Sequence, residues 1–343
     1  MTKLKLEVSF TTPAFLGNAK QQGQWRTPPF KTLLRQWWRV AVAKDCNYDV
    51  TTLREREAEL FGSAAGEENV GQSKVRIRME QWRNGSGKIE HPEVKFPVGA
   101  NLYLGYGPIG YQKGKGETVK MQHWIAPDET NTLKLDCPDD FKTIIQLAAW
   151  FGTLGSRSRN GWGSLLIQGE DIKDTGALLA GTPEILHKAS RPLNECLHLD
   201  WPHALGRDDK GLLIWRSEDF IDWQQAMKYL AEIKIAFRTK LSVKTKLSVN
   251  GGFQNRHLLA YPVTHHTVNS WPNQARLANQ LRFKVVKHDG NYYALAFHLP
   301  TALPQKLAKK LGHLVPSEQQ QCQVWQQVHR VLDGQMKRIG GAA

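Results

Sequence analysis

The sequence is poor in the residues from which disulfide frameworks, zinc modules and membrane spans are built. Only four of its 343 residues are cysteines, and no two of them have the CxxC spacing of a zinc module. We therefore expect buried, reduced thiols of an intracellular protein. No apolar run approaches the ~18 residues of a membrane-spanning helix, and no secretory signal pattern stands at the start. These absences predict a soluble, cytoplasmic protein that has no membrane partner.

The motifs of several common enzyme classes are also missing. There is no GxxxxGK[ST], no HExxH and no GxSxG, which argues against P-loop phosphate chemistry, zinc proteolysis and serine hydrolysis. His288-Asp289 stands before a glycine, as in a tight turn, and His265-His266 has no carboxylate at ligand spacing. We predict neither a metal site nor a cofactor. A metal-free ribonuclease would need a positioned acid or base, and no motif selects one of the twelve histidines.

Acidic residues are far fewer than basic ones. Lysine and arginine number 46 against 32 aspartates and glutamates, which gives a formal net charge of +14. A positive balance of this size favours a polyanionic partner, with nucleic acid first and an anionic membrane second. The twelve tryptophans could serve as stacking platforms for bases, although tryptophans also fill cores and lysines also keep surfaces soluble.

The first half of the chain alternates predicted strands and helices. Apolar residues at every second position predict strands, and apolar residues at i, i+3, i+4 and i+7 predict helices. The predicted elements are strand Lys3–Phe10, helix Phe30–Lys44, short helix Arg54–Phe61, strand Ser73–Trp82, a strand pair Thr118–Ile125 and Thr132–Cys137, helix Phe141–Phe151 and strand Leu165–Gln168. This is the split βαββαβ order of a ferredoxin-like domain, whose sheet is a common nucleic-acid platform. We therefore predict an α+β fold.

A long insertion, from Arg83 to about Gly116, interrupts this order. It includes a predicted strand at Asn101–Leu104 and a loop with Lys113 and Lys115 near its tip. Because loops of this length are usually functional or disordered, the two lysines are candidate binding residues.

The helix over Phe30–Lys44 combines an apolar stripe with a cationic one. Lys31, Arg35 and Arg39 recur at i, i+4 and i+8 and therefore lie on one side of the helix. Like charges at this spacing repel one another by roughly a few tenths of a kcal/mol per pair. An anionic neighbour would relieve this repulsion, and a solvated surface is the alternative.

Gly152–Ser164, the glycine-rich loop, concentrates four glycines, two arginines and one tryptophan in the sequence GTLGSRSRNGWGS. Glycines allow close approach of a ligand and positive φ, and consecutive N–H groups can then form an anion-binding concavity. Arg157 and Arg159 add planar guanidinium groups that match phosphate. The loop therefore predicts a phosphate-binding element, although a surface loop with solvated charges would have the same composition.

The second half follows a weakly patterned stretch, Asp174–Leu193. We predict a first domain over residues 1–175, a junction over 176–193 and a second domain over 194–343. Predicted elements are strand Gly211–Trp215, helix Phe220–Lys240, a hairpin of Arg282–Val286 and Tyr292–Phe297, and a polar helix Ser317–Arg338. Basic residues cluster in and after the first of these helices: Lys228, Lys234, Arg238, Lys240, Lys244, Lys246 and Arg256.

Several segments match the motifs of a known protein family. Residues 12–43, TPAFLGNAKQQGQWRTPPFKTLLRQWWRVAVA, are similar to a signature in which a strand and loop lead to a helix with R-x-W-W-R. Leu60–Ser63, together with Val75–Ile77, is similar to the next segment of that family's pattern. The stretch GTLGSRSRNGWGSL is similar to the family's glycine-rich loop, G-x-R-x-R-x-G-[FYW]-G. More weakly, Asn255–His257 and Leu281–Lys284 resemble motifs of a second domain. The chain thus resembles one group of RAMP-superfamily proteins, namely those that form subunit one of the CRISPR type III-B (Cmr) effector.

This resemblance implies two ferredoxin-like domains and a non-catalytic subunit of a CRISPR complex in antiviral defence. Such a subunit holds the 3′ part of the CRISPR RNA and the paired target RNA beside other subunits. Trp37 would pack in the core, while Trp38 and the cationic stripe would face RNA. The candidate RNA-binding residues are Arg26, Lys31, Arg35, Trp38, Arg39, Lys113, Lys115, Gly155, Arg157, Arg159, Asn160, Gly161, Trp162, Lys244, Arg256 and His257.

Two alternatives stay open. The chain could be a RAMP endoribonuclease that processes the guide precursor or cuts the target RNA. It could also be a scaffold subunit whose basic face contacts acidic protein neighbours. Cleavage by the isolated chain would favour the first alternative, and failure to bind short RNAs would favour the second.

Overall fold

The structure is a computed structural model that describes residues 1–63, 71–87, 99–114, 116–181, 183–241, 250–263 and 266–340. Lys115 and Lys244 of the candidate set lie outside these residues. Within the described ranges, no helix combines the length and the apolar character that a bilayer crossing needs. No group of three or more His, Cys, Asp or Glu side chains in the same ranges is arranged to hold a metal ion.

The first half of the chain builds one four-stranded sheet. Its elements are β1 (Thr2–Phe10), α1 (Thr27–Val42), α2 (Val50–Phe61), β2 (Arg76–Met79), α3 (Ala100–Gly105), β3 (Ile109–Gln112), β4 (Gly116–Val119), β5 (Asn131–Cys137), α4 (Lys142–Phe151) and β6 (Leu165–Gln168). The strands lie in the order β2-β5-β1-β6, and every neighbouring pair is antiparallel. Pro28 and Pro29 stand in the first turn of α1, where no intrahelical N–H bond is lost.

The second half repeats this arrangement. Its elements are α5 (Thr175–Leu179), α6 (Glu184–Lys188), β7 (Ser190–Pro192), α7 (Leu193–Cys196), β8 (Leu205–Asp208), β9 (Gly211–Leu212), β10 (Ile214–Phe220), α8 (Trp223–Lys240), β11 (Asn250–Gly251), β12 (Thr267–Val268), β13 (Leu281–His288), β14 (Asn291–His298), α9 (Gln305–Leu311), α10 (Glu318–Asp333) and β15 (Lys337–Arg338). Its main sheet has the order β13-β14-β10-β15. In both main sheets the first and third strands in sequence are central, and the second and fourth are edges. The α+β class is therefore confirmed.

Residues 100–105 form the helix α3, where the sequence predicted a strand at Asn101–Leu104. Leu102 and Leu104 are both buried on the side of α8, and their spacing imitates the alternation of a strand. The Glu117 carboxylate accepts a hydrogen bond from the Leu102 N–H at 3.2 Å. A carboxylate in the first turn favours a helix because it satisfies a free N–H and complements the helix dipole. Since Glu117 lies on β4, the local pattern could not reveal it.

The predicted pairing of Thr118–Ile125 with Thr132–Cys137 is also wrong. β4 instead pairs with β3 in a short hairpin, and β5 lies between β1 and β2 in the first sheet. The predicted C-terminal helix ends at Asp333, and Lys337–Arg338 pair with β10 as the edge strand β15.

An apolar core continues from one half into the other. The ring of Trp37, on α1, is buried and lies 6.2 Å from that of Phe297, on β14. Phe151, at the end of α4, lies 5.0 Å from the same ring. The predicted core position of Trp37 is therefore confirmed, and its ring partners come from both halves of the chain.

Two histidines are buried together in the second half. His298 of β14 and His329 of α10 are both inaccessible, and Nε2 of His329 lies 3.0 Å from Nδ1 of His298. Burial lowers the pKa of His329 to about 3 and that of His298 well below its ordinary value. Both rings are therefore neutral in the folded chain at neutral pH.

We expect the chain to lose stability as the pH falls below about 6.5, the ordinary histidine pKa. The unfolded chain then binds protons that the folded chain excludes, so the free energy of unfolding falls by about 1.4 kcal/mol per pH unit for each such histidine. Denaturant unfolding at about pH 7.5 and about pH 5.5 measures the decrease. His329→Gln should reduce it, whereas His313→Gln, on an exposed turn, should not. The same pH dependence in all three proteins would contradict the buried neutral pair.

Candidate nucleic-acid interface

The glycine-rich loop lies along β13, an edge strand of the second main sheet. The Phe283 N–H donates to the Arg159 carbonyl at 3.1 Å, and the Val285 N–H donates to Ser164 Oγ at 2.9 Å. Thr11, which follows β1, donates through Oγ1 to the Val285 carbonyl at 2.5 Å. Because an edge strand has unpaired backbone groups on its outer side, these contacts supply the partners that β13 would otherwise lack. The loop therefore joins the two halves.

The glycines of this loop are required by its own packing. Gly161 has φ of +92°, and a Cβ there would lie 2.8 Å from Met227 Sδ on α8. Gly155 has φ of +95°, and a Cβ there would lie 2.7 Å from the Phe15 carbonyl oxygen. Both conditions favour glycine, which has no Cβ and tolerates positive φ. The expected RNA contact of Gly161 is corrected, because this residue is buried, whereas Gly155 is partly exposed and its RNA contact stays a prediction.

Trp162 and Asn160 also face the protein interior. Trp162 is 2% exposed, and its ring lies 5.3 Å from that of Phe15. Asn160 donates through Nδ2 to the Leu104 carbonyl and accepts through Oδ1 from Lys234 Nζ, both at 2.8 Å. The structure corrects the expected RNA-facing position of both side chains, because each is surrounded by residues of the same chain.

The cations of α1 bind to α2. Arg35 Nε and Arg39 Nε each lie 2.5 Å from a carboxylate oxygen of Glu57, and Lys31 Nζ donates to the Phe61 carbonyl at 2.8 Å. Burial alone would raise the pKa of the Glu57 carboxyl, but hydrogen bonds from Arg39 and Arg35 hold the pKa below its ordinary value. The anionic neighbour that the cationic stripe requires is therefore a residue of this chain.

Trp38 lies in the core of the first half. It is 6% exposed and packs edge-on against Phe61, with 6.2 Å between the ring centres. The expectation that Trp38 stacks on RNA is therefore corrected, because no face of its ring is open.

Of the other candidates, Arg26 and His257 have partners inside the protein. Arg26 Nη2 donates to the Gly17 carbonyl at 2.5 Å. His257 is buried among aromatic rings, and burial lowers its pKa to about 4. The burial of His257 corrects its expected RNA contact, whereas Arg26 is partly exposed and its RNA contact stays a prediction. Lys113 is exposed in the turn between β3 and β4, as expected.

A group of cations lies where the glycine-rich loop, α8 and the turn Asn255–Leu258 come together. We define the basic cluster as Arg157, Lys234, Arg238 and Arg256. Lys234 Nζ and the Arg238 guanidinium carbon each lie 5.7 Å from the centre of the Tyr103 ring, on α3. Arg238 also donates to the Tyr103 hydroxyl at 2.8 Å. Two cations of the second half thus contact one aromatic ring of the first half.

The cations of the basic cluster repel one another. Burial and the charges of Arg238 and Arg157 lower the pKa of Lys234 to about 7. Burial and Arg238 also lower the pKa of Arg256, whose Nε has no hydrogen-bond partner. No carboxylate in the described part of the chain forms an ion pair with Arg157, Lys234 or Arg256. A bound anion would relieve the repulsion and accept charge-assisted hydrogen bonds.

The sequence located part of this cluster. Arg157 and Arg256 belong to the candidate set, whereas Lys234 and Arg238 were recognised only as members of a basic stretch. Their i, i+4 spacing on α8 was the available signal, because it places both on one side of the helix. Tyr103 gave no signal, since it lies in a segment predicted to be a strand.

Residues 7–166 match the family model described as the RAMP superfamily. This range includes β1, α1 and the glycine-rich loop, whose motifs predicted that superfamily, and the prediction is confirmed. The chain therefore carries a RAMP-superfamily segment over these residues. A search of curated proteins found no match.

Solved structures of CRISPR proteins are similar to the chain over most of its length. Cmr1 from Pyrococcus furiosus, in its apo form, has 15% identity and a TM-score of 0.46, covering 92% of this chain and 98% of the other. A chain of the type III-B Cmr-beta complex bound to cognate target RNA has 13% identity and a TM-score of 0.42, covering 92% and 99%. Function cannot be transferred at these levels of similarity.

We expect Arg35→Ala/Arg39→Ala to lower the free energy of unfolding by roughly 1–3 kcal/mol, because Glu57 would remain buried without partners. The RNA affinity of the folded variant should change less than about twofold, since these cations already have a protein partner. Urea unfolding and RNA binding in one buffer measure both quantities. Adding Glu57→Gln should recover part of the lost stability. If the double variant lost RNA affinity while its free energy of unfolding stayed unchanged, this would contradict the conclusion that Arg35 and Arg39 bind Glu57 of α2.

Proposed function

We propose that this chain is a non-catalytic RNA-binding subunit of a CRISPR type III-B (Cmr) effector complex, active in antiviral defence in the cytoplasm. It holds the 3′ part of the CRISPR RNA and the paired target RNA by phosphate and stacking contacts, beside other subunits. The RAMP-superfamily segment supports this proposal, as do the motifs that resemble subunit one of that complex.

The two halves are proposed to be two ferredoxin-like domains, over residues 1–175 and 194–343, with a junction over 176–193. The support is the strand order that both main sheets share, with the first and third strands central. In each half, helices connect the first strand to the second and the third to the fourth. These are α1 with α2, and α4, in the first half, and α8, and α9 with α10, in the second. This is the split βαββαβ connectivity.

The basic cluster is the observation that carries the proposal. Its cations converge from both halves, and no acid among the described residues forms an ion pair with Arg157, Lys234 or Arg256. The adjacent ring of Tyr103 offers a surface on which a base can stack, worth roughly 1–3 kcal/mol in single-strand binding. Guanidinium and ammonium groups contact phosphates in any sequence. The cluster therefore favours sequence-independent capture of an RNA backbone.

A histidine beside the basic cluster is not available for proton transfer. His257 follows Arg256 in the sequence, but it is buried and accepts a hydrogen bond from the Gln254 N–H at 3.0 Å through Nδ1. A ribonuclease would need an acid or base within reach of the phosphodiester. This observation supports RNA binding over RNA cleavage at the basic cluster.

Arg157→Ala/Arg256→Ala tests the proposed function, because neither side chain makes a hydrogen bond to a described residue. For a short single-stranded RNA, the slope of log K against log salt should become shallower by about 1.4, using ~0.7 per lost phosphate contact. Affinity should fall equally for RNAs of different sequence. Filter binding at several KCl concentrations measures both effects.

The matched control is Arg54→Ala/Arg56→Ala, which removes the same charge from exposed positions of α2. It should leave the slope unchanged. Equal losses in both double variants would contradict a localised RNA site. Labelled RNA should stay intact with and without Mg²⁺, whereas cleavage abolished by one histidine or aspartate substitution would favour the ribonuclease.

A further inference from the structure

Two arginines that do not belong to the basic cluster share a cavity between the halves. The cavity has a volume of about 270 Å³ and is lined by α1, the glycine-rich loop and Arg282 of β13. Thr32, at its edge on α1, is exposed, so the cavity is open to solvent there. Arg159 contributes the second guanidinium group. One charge thus comes from each half of the chain.

Arg282 is unusual because its guanidinium group is buried without a partner. The residue is 5% exposed, and its Nε has no hydrogen-bond partner. Burial and the nearby charge of Arg159 lower the pKa of Arg282 to about 9, and burial also lowers the pKa of Arg159. A buried, unpaired cation is costly because it loses its hydration without gaining a counter-charge.

Several other partly buried arginines of this chain pair with carboxylates. Arg338, the most comparable, lies 2.5 Å from an oxygen of Asp208 and 2.7 Å from one of Asp333. The described residues around Arg159 and Arg282 include no acid, whereas a glutamine amide, Gln36, and a hydroxyl, Ser158, also line the cavity. The cavity therefore offers hydrogen-bond donors and two positive charges, and it lacks the anion that would match them.

We propose that this cavity binds one phosphate group between Arg159 and Arg282. A phosphate could accept guanidinium hydrogen bonds from both arginines and would supply the missing counter-charge. The phosphate of a bound RNA nucleotide and a free phosphate ion offer the same chemistry. The proposal deepens the RNA-binding function proposed above, and only the source of the phosphate depends on that function.

A bound phosphate would also hold the two halves together. The Arg159 carbonyl accepts a hydrogen bond from the Phe283 N–H, and Arg282 is the residue before Phe283. An anion between the two guanidinium groups would replace their repulsion with attraction across this contact. Occupancy should therefore raise the stability of the folded chain.

Thermal unfolding in inorganic phosphate tests the site without RNA. Raising phosphate to about ten times its dissociation constant, at constant ionic strength set with chloride, should raise the midpoint of the wild-type chain by roughly 2–4 °C. Arg282→Met should abolish this rise. In phosphate-free buffer Arg282→Met should melt no lower than the wild type, because it removes an unpaired buried charge. If that variant does not fold, Arg159→Met takes its place.

Arg76→Met is the control, since it removes one charge from an exposed position of β2 and should keep the full rise. No rise in the wild type, or an equal rise in wild type and Arg282→Met, would overturn the proposal. An RNA affinity lowered about tenfold by Arg282→Met identifies the phosphate as that of RNA. Unchanged RNA affinity with a lost phosphate response identifies a free ion. Failure of the wild type to bind RNA would refute the proposed function and leave the phosphate response as a separate result.

Discussion

An edge strand needs partners for the backbone groups on its outer side, and β13 finds them in the other half of the chain. The glycine-rich loop and Thr11 bind Phe283 and Val285 along this edge. Lys284, between them, is buried and donates to the Ala149 carbonyl in the last turn of α4 at 2.6 Å. A cation at the C-terminal end of a helix complements the helix dipole. Three consecutive residues of β13 are therefore held by the first half.

This contact explains the composition of the glycine-rich loop. The loop must approach α8 and Phe15 closely, and the two positive-φ glycines at 155 and 161 permit that approach. Trp162 fills the space that remains, and Asn160 binds Lys234. Only Ser156 and Arg157 of the loop are fully exposed. The features that suit a phosphate loop thus serve mainly to join the two halves, and Arg157 remains exposed.

The distribution of acids separates structural cations from candidate ligand-binding cations. Glu57 neutralises Arg35 and Arg39, and two aspartates neutralise Arg338. Among the residues described, no acid forms an ion pair with Arg157, Lys234 or Arg256 of the basic cluster, or with Arg282. The basic cluster and Arg282 both lie where the two halves meet. A polyanion bound at this junction could contact both halves.

Sequence patterns predicted correctly those elements that are determined by residues close together in the chain. The prolines that start α1 and the glycine turn between β13 and β14 act within a few residues, and both elements formed where expected. The role of the α1 cations depended on Glu57, which lies 22 residues from Arg35 on another helix. The motifs likewise identified the superfamily, but not that Trp162 turns inward, because its neighbours come from distant segments. The sequence predicted helices and strands better than it predicted the contacts between side chains.

The path of RNA across the junction can be measured directly in the assembled complex. Photo-crosslinking of thiouridine-substituted RNA, with crosslinked residues mapped by mass spectrometry, would locate it. We predict crosslinks at Tyr103 and around Arg157 and Arg256, and none at Trp38. Crosslinks concentrated on the outer surface of α1 and α2, with the basic cluster unlabelled, would contradict an RNA path along the junction of the two halves.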